Sequence, residues 1–395
     1  SDPRDSGRPA LSSALVALLA LAAAFLPACG KKETLVPEST ASFSAAGKPL
    51  RLFSWSEYFD PEILEKFTAE TGIEVEYLTY GDGDELEAKL KSRPGYHDIV
   101  VGDDISLEVL NELQLIRDLD KSLLPNLANI DEDYLDLPFD PGNAFSAPYM
   151  WGTSLVAYRS DEIEDPEPSW ALLWNESLKG KVAVMEDRQE TLSIALLALG
   201  YSLNSEDPAE LEPAGLKTVE LIRKVDARLG DDAAVRKGLD SGAILAGMCY
   251  SGDAAMVAAE NENVAFFIPR EGAPLWIDSL AITKDSSNAE AAHLFVNFML
   301  DAENAAANSN YTWYASPNKA AEPCISEDLL GDETIYPSAQ VLERCEFLAF
   351  PSLEREQLMN RAWLRVRKAI QQQNISRKAP LEPGAPAATA QLTGE

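Results

Sequence analysis

The sequence predicts an α/β protein of two lobes, each a mostly parallel sheet flanked by helices, with strands crossing between them. Three observations carry this expectation. The 395 residues suffice for two globular cores. Short apolar or alternating runs take turns with helical periodicity along most of the chain. Two extended, β-rich segments lie where a chain would leave one lobe and later return to it.

The elements follow in order. Residues 50–55 are a short apolar run. Asp60 and Pro61 then supply an N-cap and a first-turn residue, and Ile63, Leu64 and Phe67 recur at helical spacing until Gly72 stops the helix. Ile73-Glu74-Val75-Glu76-Tyr77 alternates as a strand, and Asp84 opens a helix through Leu86 and Leu90. Asp98-Ile99-Val100-Val101-Gly102 has the apolar continuity of a buried strand, with Leu107, Leu110 and Leu113 marking the helix after it. Residues 148–158 are extended and long enough to bridge two lobes. A second strand-and-helix region starts at Lys181-Val182-Ala183-Val184 and continues through a helix containing Ile194, and residues 276–283 carry the chain back. The expected division is 48–156 with 277–322 for the first lobe, and 157–276 with 323–378 for the second. No internal repeat of fixed period is apparent.

The termini carry a different signal. Residues 11–26 form an apolar run that breaks at Pro27 and meets Ala28-Cys29-Gly30, too short for a membrane span and suited to a signal peptide over 1–28. Leu26-Pro27-Ala28-Cys29 resembles a bacterial lipobox, with proline where a small residue is usual. That resemblance implies lipidation of Cys29 and a lipid-anchored tether over 29–47, plain secretion with a chance cysteine being the alternative. Residues 379–395, rich in Ala, Pro and Thr, suit a disordered tail.

Charge narrows the function. With 65 acidic against 33 basic residues the net charge is −32, which argues against nucleic acid and against adsorption on anionic lipid. Most of these carboxylates belong to a solvated face. Among the later cysteines, Cys324 with Cys345 is the expected disulfide, because Cys249 falls in a buried strand. There is no CxxC, and His97 and His293 are far apart in sequence, so neither metal nor cofactor is expected.

In open parallel sheets ligands bind beyond the carboxyl ends of the strands, so the residues after each expected strand are site candidates. These are Trp55-Ser56-Glu57-Tyr58, Asp103-Asp104, Asp187 with Glu190 one turn on, and Tyr250-Ser251-Gly252-Asp253. Trp276 and Asp278, two apart on one strand, complete the set. Aromatic residues and carboxylates recur at each end without lysine, and Arg188 is the only basic residue among them. Acids that pair with charged nitrogens and rings that cover methylenes suit an extended ammonium ligand. Each residue has a plainer role open to it. Trp55 and Trp276 could be core, Glu57 could serve a helix N-terminus, and Asp187 and Asp253 could be N-caps. Asp103 and Asp104 are expected to divide lining and capping.

From about residue 49 to 368 the chain resembles the spermidine/putrescine-binding proteins of ABC transporters. The resemblance rests on Ser54-Trp55-Ser56-Glu57-Tyr58, Pro138-Phe139-Asp140-Pro141-Gly142-Asn143, Pro148-Tyr149-Met150-Trp151-Gly152, Trp276-Ile277-Asp278-Ser279-Leu280 and Ser316-Pro317-Asn318, among other stretches. It implies a two-lobed periplasmic-binding-protein fold of type II, acting without catalysis as an extracytoplasmic monomer in the periplasmic space or at the cell surface. Such a protein closes around a linear polyamine and presents it to a membrane permease. Carried over, Trp55, Ser56, Glu57 and Tyr58 match the first-lobe motif, and Asp187 and Glu190 match second-lobe acids. Tyr250 stands where the family usually has Trp. Asp253 matches the carboxylate of the putrescine type, where the spermidine type has Ser. Trp276 and Asp278 match an aromatic wall and a principal amine-binding acid, and Tyr314 a late aromatic of the cleft. Ile105 and Asp103 depart from the pattern, and the Gln of the spermidine type has no counterpart near Phe347 and Leu348. Asp253 and the missing Gln lean towards a diamine, whereas the extra Asp103 could instead hold a third nitrogen. The rival readings are a receptor of this fold for an amino acid or sugar, and a hydrolase pairing Asp278 with Glu190. The first needs a cleft arginine, for which Arg188 is the one candidate and is expected to point outward. For the second the chain has no Gly-x-Ser-x-Gly, His-Glu-x-x-His or phosphate-binding loop.

Overall fold

The structure, a computed structural model, describes residues 48–378. The expected signal peptide, Cys29 with its tether, and the C-terminal tail lie outside the described residues. The first half of the fold is built from β1 (Leu50–Ser54), α1 (Pro61–Thr71), β2 (Val75–Thr79), α2 (Gly83–Ser92), β3 (Ile99–Asp103) and α3 (Asp104–Glu112). The long strand β4 (Ser146–Arg159) leads away from it. The second half contains β5 (Val182–Met185), α4 (Arg188–Ala198), α5 (Pro208–Arg223), β6 (Arg228–Gly230) and α6 (Asp232–Asp240), then β7 (Ala246–Tyr250), α7 (Ser251–Glu260) and β8 (Val264–Phe267). β9 (Pro274–Ile282) returns, followed by α8 (Ala289–Met299), α9 (Ala302–Thr312), α10 (Glu327–Leu330), α11 (Ala339–Leu342), β10 (Glu346–Phe347) and α12 (Leu353–Lys378).

The local signals act as chemistry requires. Asp60 caps α1 by accepting from Glu62 N, Pro61 opens the helix, and Gly72 ends it at φ +73°. α2 starts one residue before the expected Asp84, with its N-cap two residues before it. Asp82 takes the cap because its carboxylate reaches Glu85 N at 2.8 Å, leaving Asp84 to favour the first turn through the helix dipole. β1 is flanked in parallel by β2 and β3. Alternation along these strands sends Leu50, Leu52, Ile99 and Val101 to one core, and Phe53 and Val100 to another on the opposite face. Helices therefore cover both faces.

The strand order is β2-β1-β3-β9-β4-β7-β5-β6. The outer strands of each half are parallel, whereas β9 and β4 run antiparallel to β3 and β7 at the centre. β4 is shared: Ser146 to Thr153 pairs with β9, and Ser154 onward pairs with β7, with β8 on the other side. The carboxyl ends of β1, β3, β5 and β7 thus face one region beside these crossing strands.

The expected Cys324–Cys345 bond is not formed. The turn after α11 directs the Cys345 side chain into the core of the second half, with Val182, Ile194 and Met248, and its free thiol lies 3.4 Å from Val341 O. Cys249 is also free and buried.

The stretch Pro138 to Asn143 has a structural job at the entry to β4. Asp140 is fully buried and accepts from Ala144 N at 2.7 Å, from Ser146 N at 2.8 Å and from Ser146 Oγ at 2.6 Å. Removing it strands buried donors at about 1–3 kcal/mol each. Asp140→Ala should lose on the order of 3 kcal/mol in a urea titration, and Asp140→Asn less; equal midpoints for wild type and Asp140→Ala would show that this carboxylate does not hold the loop.

Candidate functional site

The tyrosine of the first strand-end cluster meets an acid from the returning strand. Tyr58 donates its hydroxyl to Asp278 Oδ2 at 2.6 Å, and both groups are buried. Asp278 stands opposite Asp103 in the β3–β9 register, a spacing at which like charges repel. Burial first, and then the Asp103 charge, push Asp278 up to about 7. Asp103 is the N-cap of α3 and accepts from Ser106 N and Ser106 Oγ, each at 2.8 Å. The division of labour falls this way: Asp103 caps, while the Asp104 carboxyl is buried and held well above the usual carboxylate range by desolvation and by Asp103. Trp55 is half-buried against Tyr80, with ring centroids 4.4 Å apart. Ser56 and Glu57 are exposed, Glu57 at φ +56° in the left-handed region.

The second half supplies further acids. Asp187 caps α4 through Glu190 N at 2.8 Å. Glu190, buried, accepts from Ser154 Oγ at 2.9 Å, and burial followed by the Asp187 charge pushes it up to about 8. Asp187 is exposed, and desolvation by the protein atoms around it raises its carboxyl despite the capping bond. Asp253 does not cap α7, whose start has no side-chain cap. It turns inward, accepting from Tyr314 Oη at 2.9 Å and pairing with Arg236 Nη1 at 3.1 Å. Burial, then Asp232, raise it to about 6 against the opposing pull of Arg236.

An unbroken run of rings links the two halves. Tyr58 meets Tyr314 at 5.8 Å, Tyr314 meets Trp276 at 5.2 Å, and Trp276 meets Tyr250 at 5.7 Å, all edge-to-face. Gly152 lies opposite Trp276 in the β4–β9 register, and a Cβ there would come within 2.4 Å of the indole. The Trp276 Nε1–H finds no acceptor among the described residues, so this side chain contributes its ring. Desolvation raises the hydroxyls of Tyr58, Tyr250 and Tyr314 and keeps them neutral donors.

These contacts gather Tyr58, Asp103, Asp104, Asp187, Glu190, Tyr250, Asp253, Trp276, Asp278 and Tyr314 about one crevice beside the crossing strands, with Trp55 against Tyr80 at its border, and none of them involves Ser56. Arg188 turns away, its guanidinium on Glu356 at 2.6 and 3.0 Å and on Asn360. The guanidinium that does enter, Arg236, escaped sequence reasoning: it stands on α6 after β6, neither of which was among the expected elements, and its helical spacing marks only a partly exposed face. It also reaches Glu57 Oε2, 3.6 Å away.

Residues 62–333 match the family model of the bacterial extracellular solute-binding protein. The chain is 35% identical over 311 residues to the spermidine/putrescine-binding periplasmic protein of Escherichia coli (strain K12), covering 78% of this chain and 88% of that protein. It is 34% identical over 347 residues to the putrescine-binding periplasmic protein SpuD of Pseudomonas aeruginosa (strain UCBPP-PA14), covering 82% and 93%. Among solved structures, the spermidine/putrescine ABC transporter substrate-binding protein PotD from Streptococcus pneumoniae superimposes with a TM-score of 0.74 at 30% identity, covering 82% of this chain and 99% of that one. The fold is that of the type II periplasmic binding proteins.

The raised carboxyls carry a stability consequence. Their folded pKa values exceed the unfolded ones, so the folded chain binds more protons over the window from pH 4 to about 7 for Asp278 and about 8 for Glu190. Stability of the ligand-free protein should fall as pH rises through that window and level off above it. At pH 8 Asp278→Asn should be more stable than wild type by on the order of 3 kcal/mol, the gain shrinking towards zero near pH 4.5. Denaturant unfolding at both pH values measures this; a gain independent of pH would refute the assignment.

Proposed function

Since the chain belongs to the bacterial extracellular solute-binding protein family, we propose that it captures a linear polyamine, putrescine or spermidine, and delivers it to an ABC permease. The carrying observation is the imbalance in the crevice. Asp104, Glu190 and Asp278 are buried carboxyls raised chiefly by desolvation, and the partners they have are neutral donors. Buried carboxylates need cations, and a flexible chain with an ammonium at each end answers acids contributed by both lobes. The edge-to-face rings of Tyr58, Tyr314, Trp276 and Tyr250 suit the methylenes between those ends, with cation–π attraction at the nitrogens. In this reading one ammonium sits on Asp278 beside Tyr58, and the other on Glu190 with Asp187 close by.

In the same reading residues 48–156 with 277–322 move as one lobe and 157–276 with 323–378 as the other, β4 and β9 flexing between them on closure. The closed monomer docks on its permease while lipid on Cys29 holds it at the membrane. An amino-acid receptor would present a guanidinium to the ligand carboxylate; Arg188 is engaged by Glu356 and Arg236 by Asp253. A carboxylate-pair hydrolase gains no support from the relatives compared, which are binding proteins.

Calorimetry on the purified protein tests the proposal. Both amines are offered, and Asp278→Ala should weaken binding by roughly several hundred-fold, the cost of losing a buried charge pair, with little change in circular dichroism. Unchanged affinity would remove Asp278 from the site. Because the raised carboxyls must ionise to pair with ammonium, binding should release protons, and affinity should climb from pH 6 to 8. Proton uptake, read from buffers of different ionisation enthalpy, would contradict this chemistry.

A further inference from the structure

Besides the exposed Glu57, six carboxyl groups stand about the crevice, Asp103, Asp104, Asp187, Glu190, Asp253 and Asp278, and Asp253 differs from the other buried ones. Both its oxygens are taken: Oδ1 by Arg236 Nη1 at 3.1 Å and Oδ2 by the Tyr314 hydroxyl at 2.9 Å. The Arg236 side chain is 22% exposed and that of Asp253 8%, so the pair is largely withdrawn from solvent. The Met256 thioether lies 3.4 Å from the same nitrogen, and Nη2 extends 3.6 Å from Glu57 Oε2 on the opposite half. Among the described residues no comparable cation reaches Asp278, whose contact is the Tyr58 hydroxyl, or Glu190, whose contact is Ser154 Oγ.

Resting on the proposed polyamine function, we infer that Arg236 is a tethered cation that stands in for one ligand ammonium at the Asp253 end. It thereby sets the protein's preference for a two-nitrogen ligand over a three-nitrogen one. A guanidinium carried on α6 is held beside Asp253 at high effective concentration. An arriving third ammonium would have to displace it and leave two cations crowded in one corner. Among the described residues the acids left without a cation fall in two groups, Asp278 with Asp103 and Asp104, and Glu190 with Asp187, and two groups are what a diamine needs. The Glu57 contact steadies the guanidinium from across the crevice, although a carboxylate 73% exposed adds little by itself. Discrimination then comes from repulsion of the longer ligand rather than from extra attraction to the shorter.

The test compares calorimetric affinities for putrescine and spermidine in wild type, Arg236→Gln and Arg236→Lys. Wild type should favour putrescine by about tenfold or more, Arg236→Gln should move the ratio about tenfold towards spermidine by freeing Asp253, and Arg236→Lys should keep the wild-type preference. Wild type that binds spermidine as tightly as putrescine would overturn the inference, whether or not any variant folds. A ratio unchanged in Arg236→Gln would do the same while leaving the polyamine function intact. Wild type that binds neither amine would overturn the function and this inference with it.

Discussion

Buried carboxyl groups with too few cations to answer them are the constraint that organises this molecule. Elsewhere in the chain a buried acid is satisfied on the spot: Asp98 takes Arg51 N at 3.0 Å, Ser286 Oγ at 2.7 Å and Asn288 Nδ2 at 3.2 Å, and Asp140 is wrapped by the loop that it organises. Those carboxylates hold the fold together. Asp278 and Glu190 have instead a hydroxyl apiece and a neighbouring acid. Leaving a buried charge so poorly matched costs stability, and the folded chain bears that cost where a cationic guest would relieve it.

That arrangement depends on the two crossing strands. β9 sets Asp278 against Asp103 and places Trp276 over Gly152, while β4 continues from the first half into the second and carries Ser154 to Glu190. Because β4 and β9 are buried nearly throughout, their register is pinned by both cores, and a slip of one residue would turn every crevice side chain to the wrong face. The crevice side chains whose facing is fixed by register thus lie on the crossing strands, and the acids of α3, α4 and α7 are brought to them from helix starts.

Helix starts are also where reading by residue type met its limit. Asp103 and Asp187 qualified both as caps and as site acids, and the structure shows each as a cap whose charge still bears on a neighbouring buried carboxyl, Asp103 on Asp278 and Asp187 on Glu190. Asp253 qualified equally as a cap and proved to be half of an ion pair. The first starting signal of α2 was misplaced by two residues because Asp82 and Asp84 offer the same chemistry, and only backbone geometry chooses between them. Cys345 was paired with Cys324 by elimination in sequence, whereas a helical turn carries its thiol into the core.

The sequence by itself determined the alternation of strands and helices, the two bridging segments and the chemistry at the strand ends. These are set by local periodicity, by capping residues and by the rule that sites form beyond the carboxyl ends of parallel strands. Tertiary structure alone decided which acids keep a cation and which do not. Arg236 lies 17 positions before Asp253 and on the other half from Glu57, and no pattern along the chain encodes that meeting. Coulomb pairing depends on distance in space and on exclusion of water, and both exist only once the two cores have packed.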